Sequence, residues 1–356
     1  MGWIGLRDAQ VGWFKPDLRA MKPDHSAVLN RGSLIVETRV SAETRPQTLL
    51  GFRRTSPMSG QFSMQALPMG GIVLVDALGD DICHATLPFT ADGRLDTLRL
   101  TYSWDVDLHW ARLTLERPES DLVHSVTLTA ALPMSVDDLR AIFAHGCNCD
   151  MDEEVLFVAI SDRVEPVGPM PALTAQVPIL TDKGEVPAGS IRRGDIVVTD
   201  NGDLVPVLQV VRRTVPARGS FRPIRLRAPY FNLSKDIVVA PQQRLVMSGS
   251  QVEYMFGREA VLVPARHLVN DRSAFVARGP DMVTYHHLLL PGHEAVLASG
   301  CSLESLYVGR LRRKPEALAS SVLQAFDRNR LPEHPKAVWP VLKPFEAITL
   351  AMVRAA

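Results

Sequence analysis

With 356 residues, 39 basic and 39 acidic side chains, the chain is formally neutral; 46% of it is hydrophobic and 22% charged. Such a composition folds, is too long for one ordinary core, and gives no electrostatic footprint for nucleic acid or an anionic membrane surface. Four cysteines, Cys83, Cys147, Cys149 and Cys301, are too few and scattered for a disulfide framework, so reduced thiols are expected.

No run approaches the roughly 20 apolar residues of a membrane span. The opening Met1-Gly2-Trp3-Ile4-Gly5-Leu6-Arg7-Asp8 lacks the basic and apolar regions of a signal peptide. Cytoplasmic residence is the default expectation, with signal-independent secretion as the other route. From residue 25 to 131 short alternating runs follow one another: Ser33–Val40, Thr48–Arg53, Gly71–Asp76, Asp96–Trp104, Asp107–Glu116 and Leu122–Ala130. Turn formers separate them at Ser59-Gly60, Gly79-Asp80-Asp81, Asp92-Gly93 and Pro118-Glu119. With no helical period between them, these strands predict an antiparallel, jelly-roll-like β-sandwich over residues 1–161. The strand Arg99–Asp105 loosely resembles those of concanavalin-A/laminin-G sandwiches. Trp104 and Trp110 are its ligand-binding candidates, by stacking on a sugar, although tryptophans of sandwiches are more often buried.

Ser135–Phe143 predicts a short helix: Ser135 as N-cap, Asp138 in the capping-box position, and Leu139, Ile142 and Phe143 as apolar face. His145-Gly146-Cys147-Asn148-Cys149-Asp150 gathers metal-ligand types, but no second knuckle accompanies it. The aspartate pairs Asp80/Asp81 and Asp105/Asp107 read as solvated. No metal and no cofactor are expected. After a strand at Leu156–Ile160, residues 162–171 form a linker in which Pro166, Gly168, Pro169 and Pro171 forbid helix and central strand.

Short strands resume at Asp195–Thr199, Leu204–Arg213, Ile224–Ala228, Asp236–Ala240, Arg244–Ser248, Ala260–Pro264 and Val283–Leu290. Residues 311–356 change to a helical tail: Leu318, Val322, Leu323 and Phe326 recur at helical spacing within Pro315–Arg330, and Phe345–Ala355 predicts a closing helix. The fold class is therefore mainly β, with short C-terminal helices.

The run Pro171–Thr181 followed by Gly184-Glu185-Val186-Pro187 resembles the entry motif of hedgehog/intein (Hint) autoprocessing domains, C-F-x-x-G-T-x-I-x-T-x-x-G-x-x-P. Further pieces follow in the family's order: Ile191–Thr199, Val205–Arg213, Leu262–Val269 and Tyr285–Val296. The resemblance spans residues 172–310 and implies an all-β, horseshoe-like domain of the bacterial type. Members use a Cys thiol to attack the preceding carbonyl and a His to protonate the departing amide nitrogen.

Measured against that pattern, Ala172 stands where the Cys belongs and Gln176 where the Gly belongs. Ala240 replaces a hydroxyl residue and Gln243 replaces the His. A carboxamide neither titrates near neutrality nor delivers a proton. Thr174, His287 and His293 are the remaining candidates for residual chemistry, with His286 and His267 beside them. Thr174 lacks an evident base, and such histidines more often hydrogen-bond backbone groups. The end Leu350–Ala356 carries no His-Asn splice junction. The resemblance thus predicts a Hint scaffold that is inactive and serves structure or binding, with a protein or glycan partner. An autoproteolytic protein with a non-standard nucleophile and a carbohydrate-binding module are the alternatives.

Overall fold

The computed structural model describes the chain except residues 1, 11, 21–27, 41–45, 56–57, 69, 90–95, 121, 144–147 and 356. It is mainly β, and its strand pairs run antiparallel. Contacts divide it into two compact units, Met1–Val167 and Gly168–Ala356. The division falls within the proline-rich stretch 165–171, which carries neither helix nor strand.

The first unit holds a seven-stranded and a five-stranded sheet. In spatial order the larger runs Leu122–Leu128, Trp110–Arg117, Asp96–Asp105, Arg31–Val40, Val155–Ser161, Trp3–Asp8 and Gly12–Phe14. The smaller runs Cys149–Asp150, Gln47–Arg54, Gly60–Ala66, Ile72–Leu78 and Asp81–Leu87. One core joins them: Leu34, Leu100, Tyr102 and Trp104 from the first meet Leu50, Phe62, Met64 and Leu74 from the second. The rings of Phe52, Phe62, Tyr102 and Trp104 form a chain, with successive centroids 5.1, 6.0 and 5.7 Å apart. Gly32 faces Trp104 across its strand pair, and a Cβ there would lie 2.8 Å from the indole. Only glycine admits the ring.

A charged knot is buried beside this aromatic chain. Arg54, with no side-chain exposure, lies 2.8 Å from Asp76 and 3.8 Å from Asp138. Tyr102 donates to Asp76 at 3.1 Å, and Arg54 donates to the Pro133 carbonyl at 3.2 Å. One guanidinium cannot neutralise two carboxylates, and burial pushes Asp76 up to about 6, against the pull of Arg54. Asp138 is raised by burial as well. Asp138 also closes the helix Val136–Phe143: the Ser135 N–H donates to its carboxylate at 2.8 Å, and the Asp138 N–H donates back to the Ser135 hydroxyl at 3.1 Å. This is the reciprocal cap expected from the sequence.

The second unit holds three sheets. A six-stranded one orders Gln209–Pro216, Met282–Leu289, Leu173–Thr174, Ile237–Val239, Ile224–Leu226 and Ala274–Val276. One four-stranded sheet contains Gly184–Pro187, Pro178–Thr181, Ile196–Val198 and Leu204–Pro206, and the other Ala260–Pro264, Arg244–Ser248, Cys301–Glu304 and Ala295–Ala298. Leu173, Val239, Leu245, Val263, Leu288 and Leu303 belong to their shared core.

Three expected elements are corrected. The strand expected at Asp107–Glu116 begins only at Trp110, because the Leu108 N–H donates to Asp105 and His109 takes a left-handed φ of 49°. The expected strand Leu204–Arg213 is two strands in different sheets; after Pro206, Val207 donates to Asp195 O and Leu208 to Leu289 O. The helix expected over Pro315–Arg330 stops at Ala319. There the Ser320 and Ser321 hydroxyls donate to the carbonyls of Ala317 and Leu318, and Leu323 N–H donates to Ser321, competing with helical bonding. Leu318, Leu323 and Phe326 still reach one apolar cluster with Leu289 and Leu306. The expected turn at Asp92-Gly93 and residues 145–147 of the Cys-rich loop lie outside the described residues.

Candidate functional site

The site begins where the second unit enters its sheet. Leu173 pairs with Val239 on one side and His286 on the other, so the short strand Leu173–Thr174 is central rather than an edge. Ala172 is 1% exposed. Its N–H donates to His286 O at 3.2 Å, and its carbonyl accepts from the Ala240 N–H at 2.7 Å. One residue earlier, the Pro171 carbonyl accepts from the Gln242 amide at 3.4 Å. Both sides of the Pro171–Ala172 peptide are thus held by the protein, and the side chain projecting from it is a buried methyl.

Gln243 follows from the same turn. Its N–H donates to Ala240 O at 3.0 Å, and its carbonyl accepts from the Ala265 N–H at 2.8 Å. The side-chain amide donates to the carbonyls of Arg244 at 2.9 Å and Glu304 at 3.1 Å. Gln243 Oε1 is buried with no hydrogen-bond donor among the described residues. An unmet acceptor of this kind costs about 1–3 kcal/mol, so the carboxamide fits the pocket imperfectly.

Glu304 is the hub of the surrounding polar groups, and sequence reasoning missed it. His287 Nε2 lies 2.9 Å from the Glu304 carbonyl, the oxygen that Gln243 also uses. The Glu304 carboxylate meets Arg244 at 3.1 Å and His293 Nε2 at 3.1 Å. Burial raises the Glu304 carboxyl, but the His293 hydrogen bond and the Arg244 charge outweigh it and leave the group below its ordinary range. A carboxylate ending the apolar strand Cys301–Glu304 was the available signal, since an acid there needs partners.

The histidines near this hub are held by hydrogen bonds at both ring nitrogens or by burial. His293 Nδ1 accepts the Val338 N–H at 2.8 Å, which leaves the Nε2 proton to face Glu304. His334 Nδ1 accepts from the Val308 N–H at 3.4 Å while Nε2 faces the Leu290 carbonyl at 3.3 Å. Burial, helped by the neighbouring His293, pushes His334 down to about 4. Burial also lowers His287 and, together with Arg212, His286. His267 accepts from Arg266 Nε at 3.3 Å and falls to about 4 through burial and that adjacent charge.

Of the sequence candidates, Ala172, Ala240, Gln243 and His287 come together around the Pro171–Ala172 peptide and Glu304, and His293 joins through the Glu304 carboxylate. Thr174 is committed elsewhere: its hydroxyl donates to Val238 O at 2.7 Å. Trp104, in the first unit, is a correction to the sugar-stacking expectation. It is fully buried, its indole donating to Leu29 O at 2.9 Å, and offers no face to a ligand. Trp110 is half-buried, with the Arg112 guanidinium 5.2 Å from its ring centre. Asp105 caps Leu108 and meets Arg31 at 3.4 Å. Among the described residues no three His, Cys, Asp or Glu side chains gather to hold a metal, and no helix is long and apolar enough to cross a membrane.

Residues 171–310 match the family model described as the Hint domain. Curated proteins yield no match. Solved structures similar to this chain include the MchDnaB-1 intein, with 17% identity, TM-score 0.27, and coverage of 38% of this chain and 98% of that one. The CBM40 of Ruminococcus gnavus IT-sialidase bound to α2,6-sialyllactose shares 12% identity at TM-score 0.27, covering 38% of this chain and 77% of that one. The leech intramolecular trans-sialidase shares 11% at TM-score 0.30, covering 62% and 34%. Residues 171–310 are a Hint domain.

Proposed function

We propose that this Hint domain is retained as a scaffold that neither cleaves nor splices its own chain, and that the protein acts through structure or by binding a protein or glycan partner. The observation that carries this reading is the pairing of Ala172 with Gln243. A methyl group stands at the position of the family's nucleophile. Where the family places its acid, a carboxamide has its NH2 group spent on the carbonyls of Arg244 and Glu304. Groups that act as a unit are not replaced by the survivors. Thr174 does not substitute, because its proton is engaged by Val238 O and no imidazole contacts its oxygen among the described residues.

Intact-mass measurement of the purified full chain, incubated alone and with added thiol, tests the reading. One species of full-length mass in both arms is the expected result. Two fragments meeting at Pro171/Ala172 would overturn it.

A further inference from the structure

The C-terminal helix Pro344–Ala355 is apolar on both sides. Ala347 and Leu350 turn inward and are fully buried in the core of the second unit. On the opposite side Phe345 is 64% exposed and Met352 67%, with Ile348 and Val353 also exposed. Spacings of three, four and seven residues put Phe345, Ile348 and Met352 on one stripe. A helix apolar all round is normally covered all round.

The charges around the stripe are basic at both ends. Lys336 and Lys343 are exposed ahead of it, and Arg354 closes it, its guanidinium donating to the Ser248 carbonyl. Glu346 is the sole acidic residue between 336 and 354, and its carboxylate is folded back to cap the helix, accepting the Lys343 N–H at 2.8 Å. Within residues 336–354 three basic residues thus stand against one acidic, an excess of two positive charges along that segment, with Glu253 the exposed acid on the Ser250–Phe256 helix. Tyr254, 92% exposed, stands on the short helix Ser250–Phe256 that follows Ser248.

A second copy of this chain fits the stripe poorly. Four partly exposed side chains fall well short of the roughly 800 Å² per partner that a stable protein interface buries. Two such helices paired about a two-fold axis would also bring basic ends together, whether they ran parallel or antiparallel. An anionic lipid surface meets both constraints: the stripe enters the apolar boundary, the flanking cations meet headgroups, and the exposed tyrosine suits the interface.

We propose that the Pro344–Ala355 helix is a lipid-surface contact, seating Phe345, Ile348 and Met352 in the headgroup–acyl boundary of an anionic membrane. The test is flotation of the full chain with vesicles of phosphatidylcholine alone or mixed with phosphatidylserine, at low and high salt. The wild-type protein should float with the mixed vesicles at low salt and be released by high salt. Phe345→Glu/Met352→Glu should lower that binding at least about tenfold with an unchanged melting temperature, both sites being exposed. Lys343→Glu, which leaves the stripe intact, should lower it about fivefold or more. Wild-type protein that stays off the mixed vesicles at low salt would overturn the proposal, as would a double variant that floats as well as wild type. So would a concentration-dependent dimer in sedimentation that the double variant abolishes, since the occupant is then a second copy.

Discussion

The two units bury their ionisable groups in opposite ways. In the sandwich, carboxylates are taken into the core around Arg54, and burial makes Asp76 and Asp138 hold protons more tightly. In the Hint unit burial instead makes the imidazoles of His267, His287 and His334 refuse protons, while the buried Glu304 carboxylate is kept below its ordinary range by His293 and Arg244. The contrast bears on function. A general acid needs a pKa near the working pH and a proton free to move. The ring nitrogens of His293 and His334 instead serve backbone groups and Glu304, so these histidines fasten the chain. The second unit uses imidazole as a joint, and under the proposed reading Gln243 is the carboxamide that takes the place of the family's acid.

The largest effect is expected from reversing that exchange. Ala172→Cys with Gln243→His puts a thiol beside the Pro171 carbonyl and a titratable ring in place of the misfitting amide. Mass spectrometry should then find fragments ending at 171 and beginning at 172, absent from the wild type and from either single variant. The backbone frame needed for this is present: Ala240 and His286 already grip residue 172, and Gln242 already donates to the Pro171 carbonyl. A double variant that stays intact, even with added thiol, would show that the frame has drifted beyond what these hydrogen bonds reveal.

How far the sequence disclosed this arrangement depended on whether a signal was local. The reciprocal Ser135–Asp138 cap was readable because both partners lie within one helical turn. The family motif marked residue 172 as the start of the domain, but the short central strand Leu173–Thr174 itself went unread, two residues being too few to show a period. By contrast, Glu304 could be identified as the hub only once Gln243, Arg244, His287 and His293 were brought to it from separate strands and loops. The strand Gly60–Ala66 went unread although Phe62 and Met64 alternate with polar Gln61, Ser63 and Gln65, because two large inward residues make too short a pattern beside the turn formers at Ser59-Gly60. The tail failed differently: its apolar spacing located the cluster residues correctly, but two serine hydroxyls, invisible to periodicity, ended the helix.

A second contrast separates the two tryptophans once paired as sugar platforms. Trp104→Ala should destabilise the sandwich by about 3–5 kcal/mol, the range for emptying a large aromatic site in a core. Gly32 and Tyr102 would line the resulting cavity. Trp110→Ala should cost about 1 kcal/mol or less, since it gives up a half-exposed ring and a cation–π contact with Arg112. Denaturant unfolding of both variants measures the difference. Equal losses would contradict the burial that removes Trp104 from the ligand candidates.

An effect on the order of 1–3 kcal/mol, smaller than the loss at Trp104, sets the units directly against each other. Asp76 titrates near 6 in the folded chain, above its ordinary 3.8, so folding is favoured by its proton. Its contribution is fullest below about 4 and is lost as pH rises through 6. His334 titrates near 4, below its ordinary 6.5, so folding is favoured by its absence of charge. That contribution is complete above 6.5 and is lost as pH falls toward 4. His267 follows the same course, and the depressed Glu304 adds a loss at the acid end. Between pH 6.5 and 4, protection of the Asp96–Asp105 amides from hydrogen exchange should rise, after correction for the intrinsic rate. Protection of the Val308 amide, held by His334, should fall. Asp76→Asn should flatten the first trend. His334→Asn should weaken the second, because its carbonyl oxygen can take the place of Nδ1 in accepting the Val308 N–H without titrating. Amides of both units moving the same way with pH would mean that these groups do not set acid stability, and that the contrast between buried carboxylate and buried imidazole has no energetic consequence.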